Sequence, residues 1–234
     1  SAVDSYLRNA AGSAVYSGNV NIDGFRYALN SAVFRPSQRD EAHAMHGLSL
    51  RTDTKGEWNF EAALTHYDFA TDETRQPSTA LPAAAAGGAG TVAYSDGTGW
   101  RTADAKAVWR PAGSRHEVTF GAHSDRYLLR TLTLNATNWI TAATTTRNGF
   151  FGGKTATSAL YVQDAWKFLP AWTLTAGLRR ERWEAFDGER ANATSTLYYA
   201  SRKESFLSPK LSLTHELDAR WRLRASLGRA WRMP

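Results

Sequence analysis

Cationic side chains recur at every second position near the end of the sequence. Arg222 and Arg224 alternate with apolar neighbours, and Lys210 lies in a similar alternating stretch just before them. Residues at i and i+2 of an extended strand share one face, so these cations would line the same polar wall. A guanidinium fork binds a carboxylate through paired hydrogen bonds. We therefore predict that Lys210, Arg222 and Arg224 line a wall suited to an anionic ligand or an acidic protein surface.

A second group of charges follows an apolar stretch that ends at Leu178. Arg179 and Glu181 belong to this highly charged run, which extends to Glu184. We predict that Arg179 and Glu181 contact a ligand as it enters. For all these charged residues, the alternative is a hydrated wall whose salt bridges only neutralise one another.

The sequence lacks the signatures of covalent chemistry. There is no cysteine, which excludes thiol nucleophiles, disulfides and iron–sulfur clusters. The glycine-rich stretch 87–90 lacks the Lys-Ser/Thr of a phosphate loop, and no nucleophile elbow is present. His43 and His46 would need a third ligand to hold a metal. We predict no catalytic residue, no metal site and no cofactor, so the protein is not expected to be an enzyme.

Period-two alternation identifies the elements that would position these side chains. The pattern predicts four hairpins with short turns near residues 54, 113, 170 and 219. The paired strands are 44–52 with 57–69, 102–110 with 116–128, 157–167 with 172–186, and 206–217 with 221–232. One face of each strand is apolar and the other is polar.

Longer segments, over 71–98, 130–154 and 187–204, connect one hairpin to the next. Strict alternation of short and long connections is typical of outer-membrane β-barrels. Ten residue steps of roughly 3.3 Å, tilted by about 40°, span about 25 Å, the height of the apolar band of such a barrel. We predict an all-β fold: an antiparallel up-and-down transmembrane β-barrel segment with short periplasmic turns and long extracellular loops. It would supply about 8–10 strands of a larger barrel.

Five of the nine tryptophans lie within a few residues of a short turn: Trp58, Trp109, Trp166, Trp172 and Trp221. Indole rings favour the headgroup level of a membrane. We predict that the membrane-interface girdle comprises Trp58, Trp109, Trp166, Trp172, Trp221 and Trp231. Two alternatives remain open: a secreted Trp-rich carbohydrate-binding or adhesive β domain, with its tryptophans in a concave patch, and a small outer-membrane barrel enzyme. The net charge of +6 is scattered along the chain, so nucleic acid is not a predicted partner.

Four short motifs, in order and spacing, resemble the β-barrel of TonB-dependent outer-membrane receptors. They are YVQDAW at 161–166, LTAGLR at 174–179, SPKLS at 208–212 and LRASLGRAWRMP at 223–234. The resemblance is good over 157–234, whereas 41–128 is similar only in style.

This resemblance implies a barrel of about 22 strands that is plugged by an N-terminal domain. It implies a bacterial outer-membrane location and uptake of a scarce nutrient, above all an iron–siderophore complex. The partners would be the lipid bilayer, TonB and the ligand. The sequence shows no plug domain and no closing C-terminal strands, so we expect residues 1–234 to be part of one barrel domain. Within it, 1–43 would be mostly extracellular loop, with room for a small hairpin in 10–40, and 44–234 would form successive hairpins.

Overall fold

The computed structural model describes residues 7–231, and its regular structure is almost entirely β-strand. The strands are β1 (Leu7–Arg8), β2 (Ala14–Val15), β3 (Gly18–Ile22), β4 (Phe25–Leu29), β5 (Gln38–Arg51), β6 (Trp58–Pro77), β7 (Gly90–Tyr94), β8 (Gly99–Trp109), β9 (His116–Ala136), β10 (Thr144–Leu169), β11 (Trp172–Ala191), β12 (Thr196–Tyr199), β13 (Arg202–Glu216) and β14 (Arg222–Gly228). Two 3-10 helices span Ser31–Phe34 and Ala83–Ala86. No helix in the described range is long and apolar enough to cross a membrane.

Strands β5 to β14 form one large antiparallel sheet. The sheet offers eight strand positions, because β7 and β8 both lie between β6 and β9, and β12 and β13 both lie beside β11. Neighbours in space are also neighbours in sequence, which is the up-and-down order. Among the described residues, β5 and β14 each pair on one side only. The predicted all-β, up-and-down barrel architecture is confirmed.

Short connections close the four hairpins where the sequence predicts them, at 52–57, 110–115, 170–171 and 217–221. Local hydrogen bonds fix these turns. In the last one, Asp218 Oδ1 accepts from the backbone N–H groups of Arg220, at 2.7 Å, and Trp221, at 2.8 Å. We call this edge of the sheet the short-turn end and the opposite edge the long-loop end.

The longer connections contain more strand than the sequence predicts. β6, β9, β10 and β11 run deep into the segments 71–98, 130–154 and 187–204, which leaves 78–89, 137–143 and 192–195 as connections at the long-loop end. β5 likewise begins at Gln38 rather than at residue 44. Threonine and aromatic residues suit extended backbone, and continued pairing satisfies backbone groups that a loop would leave to water.

The N-terminal region contains short hairpins that are separate from the large sheet. β3 pairs with β4 from Gly18–Leu29 to Ile22–Phe25, inside the segment where the sequence left room for a hairpin. β1 pairs with β2 over two residues. The backbone N–H of Leu81 donates to Phe34 O at 3.2 Å, which joins this region to the 78–89 connection.

The large sheet has one apolar face and one polar face. Large apolar side chains on the apolar face remain exposed, from 37% for Leu213 to 76% for Leu227. Those that define this face are Leu48, Leu50, Trp58, Phe60, Leu64, Phe120, Leu160, Val162, Trp166, Leu178, Leu207, Leu211, Leu213, Leu223 and Leu227. A continuous apolar surface of this size is typical of a membrane or protein contact rather than of a surface in water.

A glycine on the polar face makes room for an aromatic ring. Gly121 of β9 pairs with Tyr161 of β10, and a Cβ at position 121 would overlap the Tyr161 ring. The ring therefore lies over the glycine, an arrangement that covers exposed backbone in a strand. Gly177 of β11 lies on the same face, but a Cβ there would meet Gln163 at an ordinary 3.5 Å.

Gly121→Ala is expected to lower the free energy of unfolding by about 1–3 kcal/mol, because Tyr161 must leave its packed rotamer. Urea unfolding measures this loss. The matched control, Gly177→Ala, should be neutral or slightly stabilising, because alanine suits a strand better than glycine does. Tyr161→Ala in the Gly121→Ala background should remove the clash. Equal effects of the two glycine substitutions would contradict the packing argument.

Candidate functional site

The polar face carries all five of the charged residues predicted from the sequence to line a wall. Alternation along paired strands places them there together with hydroxyl, amide and carboxylate side chains. The polar face includes Glu61, Asp104, Lys106, His123, Gln163, Arg179, Glu181, Lys210, Ser212, Glu216, Arg222 and Arg224.

Arg179 and Lys210 lie near each other in the middle of the polar face. Lys210 of β13 pairs with Gly177 of β11 on one side and with Gly228 of β14 on the other, so no bulky side chain flanks it in its row. Arg179 follows two residues after Gly177 and bonds Glu181, with Nη2 2.7 Å from Oε2. The charge of Arg179 is thus neutralised by Glu181, whereas Lys210 is exposed and has small residues on both sides of it.

Arg222 and Arg224 lie apart from that pair, at the short-turn end. Arg222 Nη2 is 2.7 Å from Glu216 Oε1 across the hairpin. Arg224 Nε donates to Ser212 Oγ at 2.9 Å. Ser212 is almost fully buried, so this hydrogen bond holds the arginine close to the wall. The five predicted residues therefore form two groups rather than one site.

Ion pairs continue across the polar face on the other hairpins. Lys106 Nζ is 2.7 Å from Glu61 Oε2. His123 contacts a carboxylate through each ring nitrogen, with Nδ1 2.7 Å from Asp104 Oδ1 and Nε2 3.0 Å from Asp125 Oδ2. Opposite charges on neighbouring strands make the face hydrophilic without a large net charge, as expected for a hydrated wall.

Aromatic rings form a continuous row on the polar face toward the long-loop end. Tyr67, Trp100 and Tyr127 occupy one row of the paired strands β6, β8 and β9. The Tyr67 and Trp100 rings stack with centroids 4.1 Å apart, and Trp100 is 6.2 Å from Tyr127. We call these three residues the aromatic shelf. Because Tyr67 and Trp100 cover each other's inner faces, the row offers a ligand its ring edges and its outer ring faces.

Sequence reasoning missed the aromatic shelf because its members lie on three strands. One signal was available: Trp100 lies far from every short turn, unlike most of the predicted girdle tryptophans. Tyr67 and Tyr127 join it only once the register across two hairpins is known.

Next to the shelf lies a group of charged side chains with ligand atoms for a cation. Single atoms of Glu41, His43 and Asp72 lie within 4.8 Å of one another. Asp72 is 4% exposed, and its Oδ2 lies 3.3 Å from His43 Nε2 and 3.5 Å from Arg39 Nη2. Arg39 already supplies a positive charge, which makes the group a self-contained ion-pair network. The prediction of no metal site remains a prediction.

His43 and His46 do not share a site. Residues three apart on a strand lie on opposite faces, and His46 pairs with His66 on the apolar face. His43 lies on the polar face, where its ring stacks on Phe69 with centroids 3.9 Å apart and its Nδ1 lies 2.9 Å from Tyr67 Oη. His43 and His46 therefore cannot bind one metal ion together from this strand.

Five of the six predicted girdle tryptophans lie at or beside the short turns. Trp58 stacks on Trp109 with centroids 5.7 Å apart, and Trp166 stacks on His116 at 5.5 Å. Trp172 stacks on His215 at 3.9 Å, and Trp221 ends its turn with 66% exposure. Contact with a membrane interface stays a prediction for all six.

Trp231 and the remaining tryptophans lie elsewhere. Trp231 contacts Phe206, 5.2 Å away between centroids, and the Arg229 guanidinium. Trp100 belongs to the aromatic shelf, Trp183 is buried, and Trp139 is buried in a connection at the long-loop end. The carbohydrate-binding alternative requires the tryptophans to lie together in one concave patch. They do not lie together in this structure.

Comparison with known proteins agrees with this architecture. A family model described as TonB dependent receptor-like, beta-barrel, matches residues 2–234. Among solved structures, the chain is similar to the ferric yersiniabactin uptake receptor FyuA from Yersinia pestis, with a TM-score of 0.55 and 12% sequence identity. The match covers 81% of this chain and 28% of the FyuA chain. At this identity the likeness shows a shared fold. No curated protein matches the sequence.

The family match extends over essentially the whole sequence, including residues 41–128, where the motifs are weak. The sheet order, the exposed apolar face and the polar face are those of a barrel wall. Receptors of this family are transporters of the bacterial outer membrane. The chain belongs to the family of TonB-dependent receptor β-barrels.

Proposed function

We propose that this chain forms part of the barrel wall of a receptor that imports a ferric siderophore, with energy supplied through TonB. The family match supports the receptor class. The similar structure is described as a ferric yersiniabactin uptake receptor, which favours an iron chelate as cargo. The chain spans 28% of that protein's length. In this proposal 1–43 lie largely outside the membrane, 44–234 form successive hairpins, and the plug and the closing strands belong to other parts of the receptor.

The aromatic shelf is the observation that carries the ligand proposal. Tyr67, Trp100 and Tyr127 lie on the polar face, which would face the barrel interior, midway along β6 and β9 and at the start of β8. Ferric chelates present flat ligand groups around the metal, and such groups stack well on indole and phenol rings. Lys210, lower on the same wall, would attract the anionic groups of the chelate, whereas Arg179 is already paired with Glu181.

The mechanism in this proposal is binding followed by gated passage, without covalent chemistry. The wall residues bind and orient the cargo, and the interstrand hydrogen bonds keep the wall closed to lipid, because lipid cannot satisfy free backbone groups. TonB would act on the plug domain rather than on this wall. Arg222 and Arg224 lie at the short-turn end, where they would face the plug or the exit of the channel.

An uptake assay tests the proposal in a bacterial strain whose only siderophore receptor is the full-length protein that contains this chain. Binding of radiolabelled ferric catecholates, hydroxamates and carboxylates is measured on ice, and uptake is measured at growth temperature with and without TonB. We expect one of these chelate classes to bind and to enter only when TonB is present. Uptake of haem or cobalamin in place of every chelate would overturn the siderophore assignment, and uptake independent of TonB would overturn the whole proposal.

Trp100→Ala is expected to weaken binding of the cognate chelate about tenfold, because the central ring of the shelf is lost. Trp100→Phe, which keeps a ring, is the matched control and should stay within about threefold. Binding on ice separates this effect from energised transport. Unchanged affinity in Trp100→Ala would place the ligand elsewhere in the receptor.

A further inference from the structure

The polar face changes character just beyond the aromatic shelf, toward the long-loop end, where large apolar side chains replace charged ones. Leu129 of β9 lies two residues after Tyr127 on the same face, and Phe151 of β10 lies diagonally across from it. Leu129, Phe151 and Tyr199 of β12 are between 44% and 53% exposed. Exposed apolar groups that lie together on an otherwise polar wall indicate an apolar contact.

Two glycines form the floor between these side chains. Gly153 of β10 pairs with Leu129, and Gly188 of β11 pairs with Tyr199. A Cβ at position 153 would lie 3.5 Å from Gly188 Cα, so the two glycines are adjacent. The row of residues is therefore large at both ends and has no side chain in the middle. We call the space over these two glycines the glycine-floored pocket.

The glycine-floored pocket has the size of a small-molecule site. Its volume is about 380 Å³, and its lining is mainly apolar. Small-molecule sites usually enclose about 300–1,000 Å³. Thr155 and Ala185, which share the row of Tyr127, close the side of the pocket that borders the aromatic shelf.

The charged groups nearby are paired or lie outside the pocket. Lys154 is the one charged residue in the lining, but alternation places it on the apolar face, and its Nζ lies 2.8 Å from Asp187 Oδ2. Arg190 lies opposite Phe151 and is not part of the lining. Within residues 7–231 the pocket therefore offers no free charge, and a charged ligand group would lose water there without gaining a partner.

We propose that the glycine-floored pocket binds an aliphatic chain carried by the cargo, while the head group of that cargo contacts the aromatic shelf. Tyr127 belongs to the shelf and also lines the pocket, so head group and chain would lie side by side. An aliphatic chain suits this lining because apolar burial requires contact area and no directed partner. The inference rests on the proposed function and narrows the substrate class to amphiphilic ferric chelates.

The first test uses the full-length receptor, purified in nonionic detergent. Calorimetry measures the binding of ferric catecholate, hydroxamate and carboxylate chelates, each with and without an octanoyl chain. In the chelate class that binds, the chain should raise the affinity about ten- to hundredfold, because several methylene groups leave water. Equal affinity with and without the chain would overturn the proposal.

Gly153→Leu fills the pocket and should remove this gain in affinity, while the affinity for the chelate without a chain stays within about threefold. The matched control, Gly177→Leu, adds the same side chain lower on the polar face and should keep the gain. Heat-modified mobility on gels shows that both variants are folded. An increase in apolar surface alone would favour the chain in both variants. A gain that survives Gly153→Leu, or that disappears in both variants, would overturn the proposal.

An iron-free probe separates this inference from the siderophore assignment. An octanoyl chain with a terminal diazirine, attached to a neutral glycerol head, is photolysed with the receptor, and mass spectrometry identifies the labelled residues. We expect labels on Leu129, Phe151 and Tyr199 that Gly153→Leu removes. Absence of these labels, as when another segment of the receptor covers the pocket, would overturn the proposal. Labelling of the pocket without binding of any ferric chelate would support the chain site and overturn only the siderophore assignment.

Discussion

Trp139→Ala is expected to lower the local unfolding free energy of the connections at the long-loop end by about 3–5 kcal/mol. Trp139 is 7% exposed, and Ala84, to whose carbonyl it bonds, is fully buried. Its indole Nε1–H donates to Ala84 O at 3.0 Å, and its backbone N–H donates to Gly88 O at 2.9 Å. Trp139 thus joins the connection 137–143 to the connection 78–89 through one side-chain and one backbone hydrogen bond.

Hydrogen exchange of the full-length receptor measures this effect on amides of 78–89 and 137–143. Trp139→Phe keeps most of the buried ring but leaves Ala84 O without its donor, so it should cost about 1–3 kcal/mol. Ile140→Ala, which changes a 40% exposed side chain in the same connection, is the control and should change exchange little. Equal exchange in Trp139→Ala and Ile140→Ala would show that the buried indole does not hold the connections together.

The hairpins could be predicted because the local signals agree. Alternation of apolar and polar residues fixes which face of β13 and β14 is apolar, and Asp218 supplies a turn between them. The upper ends of the strands could not be predicted in the same way. Beyond the apolar band both faces meet water, so alternation fades, and Thr144 or Thr196 suits a strand and a loop equally well.

The candidate site was only partly predictable for a related reason. The faces of Arg179 and Lys210 follow from alternation within a single strand, so the sequence assigns them correctly to one wall. The stack of Tyr67 on Trp100 depends on the register between β6 and β8, and the register depends on turn length and on strand bulges. A turn one residue longer would move Trp100 to a different neighbour without changing the pattern that sequence reasoning uses.

Leu178→Arg is expected to lower the free energy of unfolding of the receptor in lipid by about 2–4 kcal/mol. Leu178 lies midway along the apolar face, between Val162 and Pro209 of its neighbouring strands, and is 44% exposed. In water, substitution of a half-exposed leucine on a sheet surface costs little, usually within about 0.5 kcal/mol. A large cost would therefore report the hydrocarbon around the face rather than packing within the chain.

Leu217→Arg is the matched control because Leu217 is similarly exposed, at 55%, but lies in the last short turn. The cost of an arginine falls to about 0–1 kcal/mol near the membrane interface, so the two leucines should differ by at least about 1 kcal/mol in lipid vesicles. Denaturant unfolding from vesicles of the full-length receptor measures both values. Equal costs at the two positions would mean that no hydrocarbon gradient acts along the apolar face. The exposed rows of leucine and tryptophan would then need a protein partner.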